Sequence, residues 1–84
     1  MIVRTGPKAE AGLRKLGFTI PVRPKTGEVK YDGEIVGWID NFTGLRIEDK
    51  NLKVCQIVAD NAKQLQVGLW NIPKGIVKKE AENS

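Results

Sequence analysis

The chain contains no histidine and a single cysteine, Cys55, among its 84 residues. This composition excludes an intramolecular disulfide, a Cys/His zinc site and the Ser-His or Cys-His pairs of many hydrolases. The glycines also lack the spacing before Lys-Ser/Thr that a phosphate-binding loop requires. Most familiar enzyme chemistry and metal binding are therefore not expected, and so short a chain forms one domain without an interdomain cleft.

Long apolar runs are missing as well. The longest nearly apolar stretch, residues 54–59, is far shorter than the roughly 20 residues that span a bilayer. The first seven residues hold no apolar stretch of signal-peptide length, and a lone cysteine suits a reducing compartment. We therefore expect a cytoplasmic protein without membrane contact.

Positive charge is concentrated near the start of the chain. Fourteen basic and ten acidic residues give a net charge of +4. Residues 1–30 carry +5, residues 31–60 carry −3 and residues 61–84 carry +2. Such a basic segment attracts phosphate backbones or acidic protein surfaces, or it is simply a solvated face. The basic residues that we expect to contact nucleic acid are Arg14, Lys15, Arg23, Lys25 and Lys30.

A short helix is predicted for residues 7–16. Pro7 suits the first turn of a helix, and Gly17 suits the left-handed residue that ends one. Ala9, Leu13 and Leu16 recur at helical spacing and predict one narrow apolar stripe.

The rest of the chain reads as short β-strands separated by turns. Alternating or β-branched runs predict strands near 18–23, 28–31, 34–39, 45–48 and 52–58, and residues 67–72 are expected to form a last strand or extended segment. Asp32-Gly33 favours a two-residue type I′ hairpin, and Gly37 inside a strand indicates a bulge or bend as a sheet curls into a small barrel. Residues 52–69 also fit helical spacing, but the β-branched residues among 54–58 favour a strand there.

The aromatic residues are candidates for a binding surface. Counting outward from the hairpin turn places Val29, Tyr31, Val36 and Trp38 on one face, with Lys30, Ile35 and Ile39 on the other. Tyr31 and Phe42 are candidate stacking surfaces for nucleic-acid bases, and Tyr31, Trp38 and Trp70 are candidate interface residues. Cys55, in an apolar run, is expected to be a buried thiol.

Two segments, VRPKTG at 22–27 and YDGEIVGW at 31–38, resemble the core of the plasmid-encoded type II dihydrofolate reductases. The similarity continues through LRIE at 45–48 to CQIV at 55–58, where that family carries Val-Gln-Ile-Tyr. It implies an SH3-like barrel that assembles into a tetramer whose pore binds NADPH and dihydrofolate. In that case Lys25, Gln56 and Ile57 would bind cofactor, and Tyr31 would match an interface Trp. Pro24 occupies the position at which the family has a pore Lys, and Val58 occupies the position of its Tyr.

The sequence thus predicts a mainly β protein, a small SH3-like five-stranded β-barrel with a short N-terminal helix. Residues 1–75 would form the single domain and 76–84 a polar tail. The first functional hypothesis is a basic module that binds nucleic acid without a cofactor. The alternatives are an NADPH-dependent reductase of the type II kind, and a protein-binding adaptor or inhibitor that docks on an acidic partner. Homo-oligomers are compatible with each of these.

Overall fold

One antiparallel sheet and two helices make up the structure, a computed structural model that describes residues 1–22 and 26–77. In chain order the elements are β1 (Ile2–Val3), α1 (Pro7–Leu16), β2 (Phe18–Thr19), β3 (Gly27–Tyr31), β4 (Glu34–Asp40), β5 (Gly44–Ile47), α2 (Leu52–Leu65) and β6 (Leu69–Trp70). The strand order is β2-β3-β4-β5-β1-β6. The mainly β prediction is confirmed, as an open six-stranded sheet in place of a closed five-stranded barrel.

The first helix matches its prediction at both ends. Pro7 occupies the first turn, and Gly17 ends the helix in the left-handed conformation with φ of 116°. Its N–H donates back to the carbonyl oxygens of Leu13 and Arg14, which satisfies main-chain acceptors that the end of a helix leaves free. Ala9 and Leu13 are buried, so the apolar stripe faces the core as expected.

The strand predicted for residues 52–58 is wrong, because these residues begin helix α2. The buried positions recur at helical and not at alternating spacing: Val54, Cys55, Val58, Ala59, Ala62 and Leu65. A strand would bury every second residue, whereas this stripe lies along one side of four helical turns. Burial of that stripe outweighed the weak β-propensity of the branched residues.

Both helices cover the same face of the sheet, which we call the inner face. Leu13 of α1 and Val58 of α2 share one buried core with inward-pointing strand residues such as Val3, Ile39 and Leu45. Ile76 packs against this core, and Val77 is hydrogen-bonded to α2, so the predicted polar tail begins with two residues that contact the domain. Residues 78–84 lie outside the described part of the chain.

The hairpin of β3 and β4 contains the Asp32-Gly33 turn and a β-bulge. Asp32 and Gly33 both have positive φ, 54° and 82°, as a type I′ turn requires. Lys30 pairs with Ile35, but Val29 pairs with Gly37, so Val36 is an extra residue in β4. The predicted pairing of Val29 with Val36 is therefore one residue out of register.

This bulge changes which residues face the core. Val29 and Val36 lie on the same side of the sheet as predicted, and both are buried, but beyond the bulge the alternation is shifted by one residue. Ile39 therefore points into the core, and Trp38 points to the opposite side with Ile35. The predicted grouping of Trp38 with Val29 and of Ile39 with Ile35 is wrong for this reason.

Strand β1 has only two residues, yet it lies between β5 and β6 and joins the meander to the end of the domain. The amino group of Met1 donates hydrogen bonds to the carbonyl oxygen of Ile47 at 2.8 Å and to Asp49 Oδ1 at 2.9 Å. These contacts hold β1 beside β5.

Within residues 1–22 and 26–77, no helix has the length and apolar character needed to cross a membrane.

Candidate functional site

The sheet surface opposite the helices carries a straight row of side chains across five strands. The register pairs Glu28 with Trp38, Trp38 with Arg46, Arg46 with Ile2, and Ile2 with Trp70. Residues in direct register on neighbouring strands project from the same side of a sheet. We call this surface the outer face; it comprises Ile2, Glu28, Lys30, Ile35, Trp38, Arg46 and Trp70.

Large apolar side chains are exposed on the outer face. Trp38 is 54% exposed, Trp70 50% and Ile35 50%. Single exposed apolar residues are ordinary, but here two half-exposed tryptophans lie in one row on the same side of the sheet. The helices, which bury the inner face, do not cover this side of the sheet.

A groove of about 610 Å³ crosses the outer face, and its lining extends from Glu28 and Trp38 to Ile2 and Asn71. Ile35 and Trp38 supply apolar lining, and Arg46 also lines the groove. Its acidic residues are Glu28, Glu48 and Asp49. Asp49 accepts the hydrogen bond from the Met1 amino group, so part of this negative charge is already neutralised.

The Trp70 end of the outer face is basic. The Arg4 guanidinium carbon lies over the Trp70 ring, 6.0 Å from its centroid. A second groove of about 310 Å³ is lined there by Arg4, Phe42, Trp70 and Asn71, among others. Phe42 is 93% exposed at the tip of the loop between β4 and β5. Arg4, Phe42 and Trp70 thus lie together beside one groove at the β6 side of the outer face.

The loop that presents Phe42 is held by Asp40. Asp40 Oδ1 accepts the main-chain N–H of Phe42 at 2.8 Å and of Thr43 at 2.7 Å. The Thr43 hydroxyl donates to the same carboxylate. These hydrogen bonds favour the ionised carboxylate and lower the pKa of Asp40 below its ordinary value. The carboxylate thus fixes the loop from which Phe42 projects.

The predicted nucleic-acid residues do not form one surface in the described structure. Arg14 and Lys15 lie in the last turn of α1, on the helix side of the sheet. Lys30 is on β3, where its side chain projects on the opposite side together with Glu28. Arg14 donates to the carbonyl oxygen of Ile20 at 3.3 Å, beyond the β2 edge. Arg23 and Lys25 lie outside the described residues.

Tyr31 does not offer an open stacking surface. It is half-buried, and its ring packs on Phe18 with centroids 4.8 Å apart. It also borders Gly17 at the end of α1. Of the two predicted stacking residues, Phe42 is exposed and Tyr31 serves the packing between β2 and β3.

Two of the three cofactor-binding residues implied by the reductase resemblance, Gln56 and Ile57, lie on α2. The side-chain amide of Gln56 donates to the Val77 carbonyl oxygen at 3.0 Å and accepts the Val77 N–H at 3.1 Å. It donates to Asp60 Oδ1 as well, at 2.8 Å. Ile57 is half-buried on the same helix, and Lys25 lies outside the described residues. NADPH binding and reductase activity remain predictions.

Cys55 is buried, as expected, with its thiol 3.8 Å from the carbonyl oxygen of Glu48. Burial raises the pKa of this thiol, because the desolvated thiolate is unfavourable.

Among residues 1–22 and 26–77, no group of three Cys, Asp or Glu side chains is arranged to hold a metal ion.

Four outer-face residues were not predicted as site residues: Ile2, Glu28, Ile35 and Arg46. Arg4, whose guanidinium lies over Trp70, was not predicted either. Ile35 and Trp38 are three positions apart, so a regular strand would place them on opposite faces. Gly37 was the available signal, since it indicated the bulge that brings them together. The positions of Arg4 and Arg46 depend on the pairing of β1 with β5. Strand β1 has only two residues, too few for a sequence pattern to predict this pairing.

No protein-family model, no curated protein and no solved structure matched the chain.

Proposed function

We propose that the protein is a protein-interaction module that docks through its outer face. The observation that carries this proposal is the alignment of half-exposed Trp38 and Trp70 in one row, with Arg46 between them. Tryptophan and arginine are the residues that most often anchor protein interfaces. Glu28 and Arg46 both stand in register with Trp38, so the outer face carries both signs of charge, which suits a protein surface better than a uniformly negative phosphate chain.

Site-specific photocrosslinking tests this function. A benzoylphenylalanine in place of Ile35 should form a discrete protein adduct in a lysate of the source cells. The same probe in place of Gln64, which is exposed on α2 at the opposite side of the sheet, is the matched control. Adding Trp38→Ala should abolish the adduct at position 35. No adduct at position 35, or equal adducts at both positions, would overturn the proposal.

Binding of single-stranded nucleic acid is the second candidate function, and the Trp70 end of the outer face favours it. Arg4, Phe42 and Trp70 combine a cation with exposed aromatic rings beside one groove, the combination on which bases stack and phosphates pair. An SH3-like module with this activity would bind with little sequence preference and with strong salt dependence.

Tryptophan fluorescence during titration with a single-stranded oligothymidylate tests the second function. We expect quenching that weakens as salt rises and that Phe42→Ala reduces. The Lys53→Ala variant, which removes an exposed cation from α2, is the control. Absence of quenching at low salt would exclude this function for the outer face.

A further inference from the structure

The chain that follows helix α2 returns to that helix through a side-chain contact. Gln66 ends α2 in the left-handed conformation, and the chain then pairs with β1 as strand β6. Residues 71–77 lead back to α2, where the Gln56 amide accepts the main-chain N–H of Val77 at 3.1 Å and donates to its carbonyl oxygen at 3.0 Å. We call residues 66–77 the return segment. It is attached to α2 at both ends and carries Trp70 between them.

The pairing of the return segment with the sheet is short. Strand β6 pairs with β1 over two residues, and the Arg4 N–H adds a hydrogen bond to the carbonyl oxygen of Gly68 at 3.2 Å. Beyond β6, Ile72 and Ile76 are partly buried against the core. A ladder of two residues opens easily, so the position of Trp70 also depends on what holds the remainder of the segment.

We infer that Gln56 is a positioning residue for the outer face, because it closes, from the helix side, the loop that presents Trp70. This inference rests on the proposed function and identifies a residue that controls its site from outside. Gln56 lies on α2, and α2 covers the inner face. It therefore acts through Trp70 and not by contact with a partner on the outer face.

The Gln56 side chain suits this role because its amide presents the same donor and acceptor as a main-chain peptide group. Both groups engage one residue, Val77, and this fixes the position and the direction of the chain there. The amide also donates to Asp60 Oδ1 at 2.8 Å, one helical turn further on, and this contact orients it. A carboxylate of the same shape would lack both donors and would place a negative charge beside Asp60.

Amide hydrogen exchange followed by NMR tests the inference on the free protein. In Gln56→Glu, the Arg4 amide, which is hydrogen-bonded to the return segment, should exchange about fivefold faster, because loss of the two donors favours opening of that segment. The Glu48 amide, which is hydrogen-bonded to β4, should change less than about twofold. Gln64→Glu, the same substitution at an exposed position of α2, is the matched control and should change neither amide by more than about twofold.

Two results of this experiment would overturn the inference. The first is an Arg4 amide whose exchange is the same in Gln56→Glu as in the original protein. The second is equal acceleration of the Arg4 and Glu48 amides, because it would show that Gln56 contributes to the stability of the whole fold and not to the position of the return segment.

A double-mutant cycle connects Gln56 to the site. Gln56→Glu should lower the yield of the photocrosslinked adduct from position 35 at least about twofold, because an open return segment presents the complete row for a smaller fraction of the time. It should have no further effect when Trp70→Ala is already present. An equal loss in both backgrounds would show that Gln56 does not act through Trp70, and would overturn the inference.

These measurements separate the inference from the proposed function. Hydrogen exchange needs no partner, so the expected exchange pattern without an adduct from any variant would contradict the proposed function and retain Gln56 as the residue that positions Trp70. An adduct from position 35 together with unchanged exchange in Gln56→Glu would retain the interaction module and exclude this role of Gln56.

Discussion

Trp38 stands directly opposite Arg46 in the ladder between β4 and β5, on the side of the sheet that the helices leave open. Its chain neighbour Ile39 stands opposite Leu45 on the buried side. The extra residue Val36 sets this arrangement, because without it the two faces of β4 beyond position 36 would be exchanged. The outer face therefore depends on the bulge as much as on its aromatic residues.

Two isoleucines of β4 provide a matched test of this register. Ile39→Ala should lower the free energy of unfolding by about 2 to 5 kcal/mol, because it leaves a cavity in the core. Ile35→Ala, on the half-exposed outer side, should cost about 1 kcal/mol. Urea denaturation followed by circular dichroism measures both values. Equal costs would contradict the bulged register.

Gly37 allows β4 and β5 to approach closely. A Cβ at this position would collide with the main-chain carbonyl oxygen of Arg46, which a side-chain rotation cannot relieve. Gly37→Ala should therefore destabilise the protein by about 3 kcal/mol, as overpacking against a fixed group does. Gly6→Ala, where a Cβ has open space, should cost about 1 kcal/mol or less through weaker capping of α1. Thermal unfolding followed by circular dichroism distinguishes the two outcomes, and equal shifts in Tm would contradict this close approach.

The Phe42 loop should respond to acid through Asp40. The pKa of Asp40 is lower in the folded state than in the unfolded state. The stabilisation of the fold by the ionised carboxylate is therefore complete above the unfolded pKa. It is lost as the pH falls through the folded pKa. An NMR titration of the side-chain carboxyl carbon should give a midpoint below 3.8, with the Phe42 and Thr43 amide signals moving at the same pH. A midpoint at or above 3.8 would contradict the hydrogen bonds assigned to this carboxylate.

Cys55 should be unreactive in the folded protein. Its thiol is buried and its pKa is raised, so little thiolate is present or accessible in mildly alkaline buffer. A disulfide reagent such as dithionitrobenzoate should label it slowly, at the rate of local or global opening, and at least about a hundredfold faster in urea. Complete labelling of the native protein within seconds would show that α2 does not cover the thiol.

The elements that could be predicted from the sequence are those with local signals. Pro7 and Gly17 bound α1, and Asp32-Gly33 defines a hairpin turn, because each effect operates within a few residues. In residues 52–65 the β-branched residues favoured a strand, whereas the spacing of the apolar residues favoured a helix. The helix forms because that spacing places its apolar residues on one side, where the core buries them. The number of strands could not be predicted, since β1 is stabilised only by neighbours that come much later in the chain.

The candidate site was predictable only in part. Trp38 and Trp70 were predicted as interface residues and Phe42 as a stacking residue from their chemistry, and the structure exposes all three side chains. Their alignment in one row requires both the bulge at Val36 and the insertion of β1, which no short sequence pattern specifies. The predicted basic patch differs from the structure because closeness along the chain does not place Lys30 on the same side of the sheet as Arg14.

The position of β1 has a consequence for how the sheet assembles. The strands β3, β4 and β5 are consecutive in the chain and can pair as soon as they leave the ribosome. β1 is synthesised before them but has β6 as its second neighbour, so it stays only partly paired until Trp70 has been made. The outer-face row is therefore complete only when β6 has paired with β1. A nascent chain that stops short of β6 would present Trp38 but not the continuous surface.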